Sequence, residues 1–274
     1  MASSEKSGAK GVELHAFTDV DHAPDLSPYF SALEAFDEIP QLQELKALAR
    51  ARIAPDADIL DVGCGFGLES LKLARLVEPG GHVTGIDKSA AFIREAQRRA
   101  RQAEASIDFQ VGDAEGLPFP DGAFDLARAE RLLVYLPDPK TALKEMRRVT
   151  RKGGTVTAIE PDLGTNAINF PDRDLARRVL DHECDANVPQ GWLVRDLASL
   201  MRDVGLINVQ IDTRILVFPL GLGASYFTET GASAAKAGVI SAAELETWTK
   251  GIEDLRQNGR LFCSIGYYLF AAQV

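Results

Sequence analysis

Cysteine is scarce in this chain. The three that occur in 274 residues, Cys64, Cys184 and Cys263, lie far apart. They form no C-x-x-C pair and no Cys/His cluster with metal-ligand spacing, so neither a disulfide-stapled scaffold nor a zinc site is expected. They read as reduced thiols of a cytoplasmic protein. Long apolar runs are missing too: no stretch of about 18 apolar residues occurs that would span a bilayer as a helix. The opening MASSEKSGAKG lacks the apolar segment of a secretory signal and reads as a disordered leader over 1–11. Positive charge is in deficit, with 30 Lys and Arg against 40 Asp and Glu and a net charge of −10. That balance argues against a protein that binds nucleic acid by displacing phosphate counterions.

What is present fits a globular chain. Hydrophobic residues make up 46% and charged residues 26%, enough apolar material to exclude a disordered protein. Residues 25–54 have apolar positions at helical spacing, with Leu42, Leu45, Leu48 and Ala49 on one stripe. Short apolar strands then alternate with helices. Strands are expected at ADILDV, at HVTGID (82–87), IDFQVGD (107–113), FDLARA (124–129) and TVTAIE (155–160). Helices are expected at 68–77, at 89–104 with Ser89 as N-cap, and at 139–150. This alternation predicts an α/β fold, a mostly parallel sheet covered by helices on both faces. The alternation stops after Glu160. A helix (193–204) and a strand (207–217) resume it. Segment 219–258 interrupts it again, opening on a glycine-rich loop, PLGLGAS, and closing in a helix with a Ser241–Glu244 capping box. LFCSIGYYLFAAQ (261–273) reads as a final buried strand. One domain over 1–274 is expected. It comprises an N-terminal helical cap (12–54), a cofactor-binding core (56–160) and two lid insertions (161–192 and 219–258) that close over a substrate or contact a second copy.

The core carries one chemical signature. Asp61-Val-Gly63-Cys64-Gly65-Phe-Gly67 follows a strand and precedes a helix. Glycines let the backbone turn tightly and approach a ligand, and the helix start offers free N–H groups. Asp87, twenty residues after Gly67, ends the next strand, where a carboxylate accepts hydrogen bonds from ribose hydroxyls. The spacing is G-x-G-x-G rather than the dinucleotide G-x-G-x-x-G. Asp61 beside the loop favours a ligand with a positive amino group over a pyrophosphate.

These residues resemble the class I S-adenosylmethionine-dependent methyltransferases, in the small-molecule branch that includes quinone methyltransferases. LDVGCGFG is similar to the family's first motif, GIDKS to the second, GDAEGLPFPDGAFD to the third, and ARAERLLVYLPDP to the segment at the fourth strand end. The resemblance runs over about 56–162 and continues weakly through WLVRDLASLMRDVGL. It implies a Rossmann-like, seven-stranded sheet with the last strand antiparallel, and S-adenosyl-L-methionine as cofactor, released as S-adenosyl-L-homocysteine. Asp61, Gly63, Cys64, Gly65 and Gly67 would then meet the methionine end. Asp87 would hold the ribose, with Lys88 beside the adenine. Asp113, Ala114 and Glu115 would flank the adenine, and Ala129, Glu130 and Arg131 would line the cofactor. Tyr135 stands where many relatives carry histidine. The Asn/Asp-Pro-Pro-Tyr motif of amino-directed nucleic-acid methyltransferases is missing, as are the paired acids of the magnesium-dependent catechol type, so neither metal nor nucleic acid is expected.

Methyl transfer from a sulfonium is an in-line displacement in which the protein positions the acceptor and removes a proton where one must leave. His182, in the first lid insertion, is the candidate base, ahead of His15, His22 and His82. Tyr135 is the candidate for orienting an acceptor hydroxyl, with Tyr29 and Tyr226 as alternatives. The expected substrate is a largely apolar small molecule methylated on O, N or C. A cyclase or isomerase that retains the cofactor unconsumed is the rival from another class, and a binding module that has lost catalysis is a third.

Overall fold

A computed structural model describes Asp21 and residues 25–274. The expected leader, His15 and His22 lie outside the described residues. The helical run expected over 25–54 is two helices, α1 (Ser27–Asp37) and α2 (Pro40–Arg50). Pro40 causes the break: the residue before a proline is driven out of the helical region, and Ile39 sits at φ −66°, ψ 120°. Leu42, Leu45 and Ala49 of α2 are buried as the stripe predicts.

The core then follows as β1 (Asp58–Val62), α3 (Leu68–Val77), β2 (His82–Asp87), α4 (Ala90–Gln102), β3 (Ile107–Val111), β4 (Phe124–Glu130) and α5 (Pro139–Val149). Ser89 caps α4 by accepting the Phe92 N–H, and Asp138 caps α5 through Thr141. The fifth strand is much longer than the expected 155–160: β5 spans Thr150–Ile168. Its outer half is held by the last strand, β7 (Cys263–Gln273), with a register shift between Asp162 and Ala167. The segment expected as a first lid insertion, 161–192, therefore begins as sheet and becomes helical only at α6 (Arg173–His182) and a π-helical turn, Glu183–Asn187. α7 (Leu193–Asp203) and β6 (Ile207–Val217) follow as expected.

PLGLGAS is not a loop. It opens α8 (Leu220–Lys236), which packs on α9 (Ala242–Gln257). Gly223 and Gly231 of this helix serve close packing rather than turning. A Cβ at Gly231 would lie 2.2 Å from the Trp248 ring, so only glycine admits that buried indole. The Ser241–Glu244 capping box forms.

The seven strands make one sheet in the order β3-β2-β1-β4-β5-β7-β6, Rossmann-like and mostly parallel, with β7 antiparallel to both neighbours. The chain leaves β1 toward β2 and returns to β4, so the strand order reverses between β1 and β4. In open sheets of this kind, ligands bind outside the carboxyl ends of the strands at that reversal. Among the described residues, no helix is long and apolar enough to cross a membrane.

Candidate functional site

A cavity of about 680 Å³ opens at that point of reversal, a size suited to a small molecule. The glycine loop forms one wall. Gly63, Gly65 and Gly67 all have positive φ (69°, 54° and 83°), a conformation that disfavours any side chain. A Cβ on Gly65 would meet no heavy atom within 4 Å, so the backbone there faces open space a ligand can fill. Asp87, at the end of β2, ties the loop in place. Its Oδ2 accepts the Gly65 N–H at 2.8 Å and its Oδ1 the Ser89 N–H at 2.9 Å. Burial pushes the Asp87 carboxyl up, and those two amides act against it. The Cys64 thiol is pushed well up by burial, with Asp61 and Asp87 adding to the effect, which disfavours the thiolate. Asp21 caps the start of α4 through Ser89 and Ala91, at 2.7 and 2.9 Å.

The cavity floor is a buried ion network. Arg128, in the middle of β4, reaches Asp61 at 2.6 Å and Glu130 at 2.7 Å. Lys46 of α2 reaches Glu130 at 2.8 Å and Asp37 at 2.5 Å, and Lys72 meets Asp37 from the other side. Burial opposes the Glu130 charge, yet Lys46, Arg128 and Arg131 hold its carboxyl well below the usual range. The N-terminal helices are thus bolted to the cavity by charge.

Twelve of the expected site residues line this one cavity: Asp61, Gly63, Cys64, Gly65, Asp87, Lys88, Asp113, Ala114, Glu115, Glu130, Arg131 and Tyr135. Three do not. Gly67 sits one step back as the left-handed entry to α3. Ala129 is buried within β4, paired with Val62 and Ala158. His182 ends α6, its Nε2 lying 3.3 Å from Ser233 Oγ. From there a polar chain runs through Asn187 and Glu183 to the Tyr226 hydroxyl. Tyr226 is buried, and Tyr29 packs beside Phe66 and Phe92. His82 faces Asp108 on an exposed edge. Lys46, Asp37, Glu69 and Arg128 line the cavity without having been expected there.

On the far side, Arg131 holds a left-handed φ of 48° and lies over the Phe36 ring, its carbon 5.0 Å from the centroid. The 3-10 turn that follows, Leu133–Tyr135, is anchored by Glu160 of β5, whose Oε1 accepts the N–H groups of Leu132 and Leu133 at 3.1 and 2.8 Å. Glu160 is fully buried, and burial pushes its carboxyl up to about 7 against the pull of those amides. A raised carboxyl favours the folded state while neutral and loses that advantage as pH rises through about 7. Glu160→Gln keeps the amide acceptor and cannot ionise. The variant is expected to lose less melting temperature than the parent between about pH 5 and 8, and thermal melts across that range check it.

A glycine loop between a strand and a helix, with an acid at the end of the next strand, surrounds one cavity on a doubly wound sheet, an arrangement that suits a nucleoside-containing ligand. Comparison with known proteins narrows the class. A family model described as a methyltransferase domain matches residues 59–154. An uncharacterised 37.1 kDa protein in transposon TN4556 of Streptomyces fradiae is 33% identical over 86% of this chain and 71% of its own length. The 2-phytyl-1,4-naphtoquinone methyltransferase of Synechococcus elongatus is 39% identical over 39% of this chain, which spans under half (46%) of that enzyme. In fold, the chain matches a Haemonchus contortus phosphoethanolamine N-methyltransferase 2 solved with S-adenosyl-L-methionine (TM-score 0.59, 15% identity, 96% of this chain and 60% of that one). It also matches the [4+2]-cyclase SpnF (TM-score 0.55, 24% identity, 85% and 81%). The chain belongs to the class I S-adenosylmethionine-dependent methyltransferases, and S-adenosylmethionine is its cofactor.

Proposed function

We propose that this enzyme methylates an O, N or C atom of a largely apolar small molecule, a quinone-like or secondary-metabolite acceptor. The observation that carries this is the chemistry of the cavity's outer wall. Beyond the glycine loop, its acids and the charged floor with Arg131, the lining includes an apolar group, Leu33, Leu132, Leu136, Pro137 and Pro189, with Tyr135 beside them. A lining of this kind suits the body of a flat apolar molecule. The likeness to a naphthoquinone methyltransferase points the same way.

The residues fit the cofactor. We assign Asp87 to the ribose hydroxyls, the Gly63–Gly65 backbone to the methionine end, and Asp113, Ala114 and Glu115 to the adenine side. Asp61, Glu130 and Arg131 complete the charged floor, while Gly67 and Ala129 act by shaping the loop and strand. When bound, S-adenosylmethionine supplies an activated methyl group on a sulfonium. Tyr135 is assigned to the acceptor. Burial pushes its hydroxyl well above the ordinary tyrosine range, so it stays protonated and serves as a hydrogen-bond donor rather than as a base. His182 lies outside the cavity lining, and we assign it to the polar chain that supports the lid.

The test is S-adenosylhomocysteine release with a panel of reduced naphthoquinones, phenolic polyketides, phosphoethanolamine and small amines. Turnover is expected with the first two groups, and Tyr135→Phe is expected to lower it about tenfold, the loss of one hydrogen bond of about 1.4 kcal/mol. Turnover confined to the charged acceptors would overturn the assignment. A product formed with no cofactor consumed would move the enzyme to the cyclase or isomerase class.

A further inference from the structure

Among the described residues, β6 is the outer strand of the sheet and pairs with β7 alone, on its inner side. Its residues alternate cleanly from Ile211 onward. Ile211, Thr213, Ile215 and Val217 are exposed, the three apolar ones at 51%, 66% and 42%, while Asp212, Arg214 and Leu216 turn inward. An exposed apolar edge strand is a template for pairing with another strand, and proteins normally blunt such edges with lysine, proline or bulges. Here the bulge and the proline stand only at the ends, and the charges between them, Asp212 and Arg214, turn inward and are of opposite sign. A register shift lies between Ile207 and Gln210, with Asn208 at φ 53°, and Pro219 follows the other end. Between them, Gln210–Val217 contains no proline, no glycine and no lysine.

The segment is also complementary to itself. In an antiparallel pair across a two-fold axis, residues facing each other add to a constant number, and that number must be even if both apolar rows are to share one face. Centred on Thr213, the register sets Ile211 opposite Ile215 and Asp212 opposite Arg214, and each pair occurs twice. Centred on Asp212 or on Arg214, two like charges meet on the axis, which is unfavourable. One register therefore satisfies both the apolar and the charged positions. Within the chain Asp212 reaches Arg52 at 3.4 Å and Arg214 reaches Glu44 at 2.9 Å. These are part-exposed pairs of little individual worth, so sharing them across an interface costs little.

We propose that β6 pairs with β6 of a second copy of this chain, antiparallel and centred on Thr213, joining the two sheets into one. The partner is committed by charge: a strand that meets Gln210–Val217 must carry an acid and a base in reversed order, as this strand itself does. Backbone hydrogen bonds supply the attraction, the Ile211–Ile215 pairs exclude water, and the Asp212–Arg214 pairs fix the register. The small contact makes a concentration-dependent dimer rather than an obligate one.

Sedimentation velocity of the full chain over a dilution series tests this. A mass twice the 29.7 kDa of one chain is expected at high concentration, falling to one chain on dilution. Asp212→Arg and Arg214→Asp are each expected to remain monomeric, because each sets like charges opposite one another twice. An equimolar mixture of the two variants is expected to recover a dimer, since both charged contacts then set an arginine of one chain opposite an aspartate of the other. Ile215→Glu, on the exposed row and outside the ion pairs, is expected to abolish the dimer with cofactor binding unchanged. A parent chain that stays monomeric throughout overturns the proposal. Single variants that dimerise as well as the parent, or a mixture that shows no recovery, overturn the Thr213 register.

Discussion

Replacing Asp87 with alanine is expected to weaken S-adenosylmethionine binding by at least about 100-fold. Both carboxylate oxygens already hold backbone amides, Gly65 N–H at 2.8 Å and Ser89 N–H at 2.9 Å, and each oxygen retains a second lone pair for a ribose hydroxyl. Removing the group costs two hydrogen bonds to a charged acceptor, about 1.5–3 kcal/mol each. It also frees the glycine loop from the β2 end. Every 1.4 kcal/mol is tenfold in affinity, so about 3 kcal/mol already gives the stated loss. Asp87→Asn is expected to behave nearly as badly, because both oxygens face N–H donors and an amide nitrogen in either place would set donor against donor. Calorimetric titration reads the effect. S-adenosylhomocysteine shares the ribose, and its affinity is expected to fall by the same factor. Affinities within about threefold of the parent would remove Asp87 from the ribose site.

The sequence revealed the loop and its acid because their chemistry is local. Tight backbone turning demands glycine at given steps along the chain, and the paired acid follows at the end of the next strand. Twelve expected residues therefore meet in one cavity. Errors cluster where distant segments decide the outcome. β5 runs on to Ile168 because β7, a hundred residues later, lies beside it. PLGLGAS opens a helix that packs on distant partners, with Gly223 beside Phe218 and Cys263 and, further along α8, Gly231 beside Trp248, and nothing within the segment announces those partners. The ion network lay between these extremes. Lys46 stands on the apolar stripe Leu42–Leu45–Ala49, and Arg128 between Ala127 and Ala129 in a strand buried on both faces. A charge in such a place must find an opposite charge. That signal was present in the sequence, although the partners' identities were not.

Arg128→Met is expected to cause the largest loss of stability. Arg128 is 5% exposed and holds two carboxylates, Asp61 and Glu130. Removing one member of a buried ionic cluster leaves charge uncompensated, at about 3–5 kcal/mol. For a chain of this size that corresponds to a fall in Tm of roughly 6–20 °C. The two acids respond differently. Glu130 keeps Lys46 at 2.8 Å, whereas among the described residues Asp61 keeps only the Ser70 hydroxyl at 2.5 Å. Burial already pushes the Asp61 carboxyl up, and Arg128 is the main group opposing it. Without Arg128 the folded Asp61 titrates further above its unfolded value, and stability is then lost as pH rises through that higher folded value. The parent behaves in the opposite sense at Glu130, whose depressed carboxyl contributes stability above about pH 4.5 that is lost only in acid. The gap between parent and variant is therefore expected to widen from acid to neutral pH. Asp61→Asn added to Arg128→Met is expected to recover part of the loss at neutral pH and little in acid, since the amide accepts from Ser70 without a charge. A gap that does not change with pH would mean that Arg128 stabilises by packing its stem rather than by its charge. Arg128→Lys separates the two further. It keeps the charge and most of the stem, but its single ammonium lacks the fork that now holds Asp61 and Glu130 at once, so it is expected to lose less than methionine and to show a shallower pH dependence.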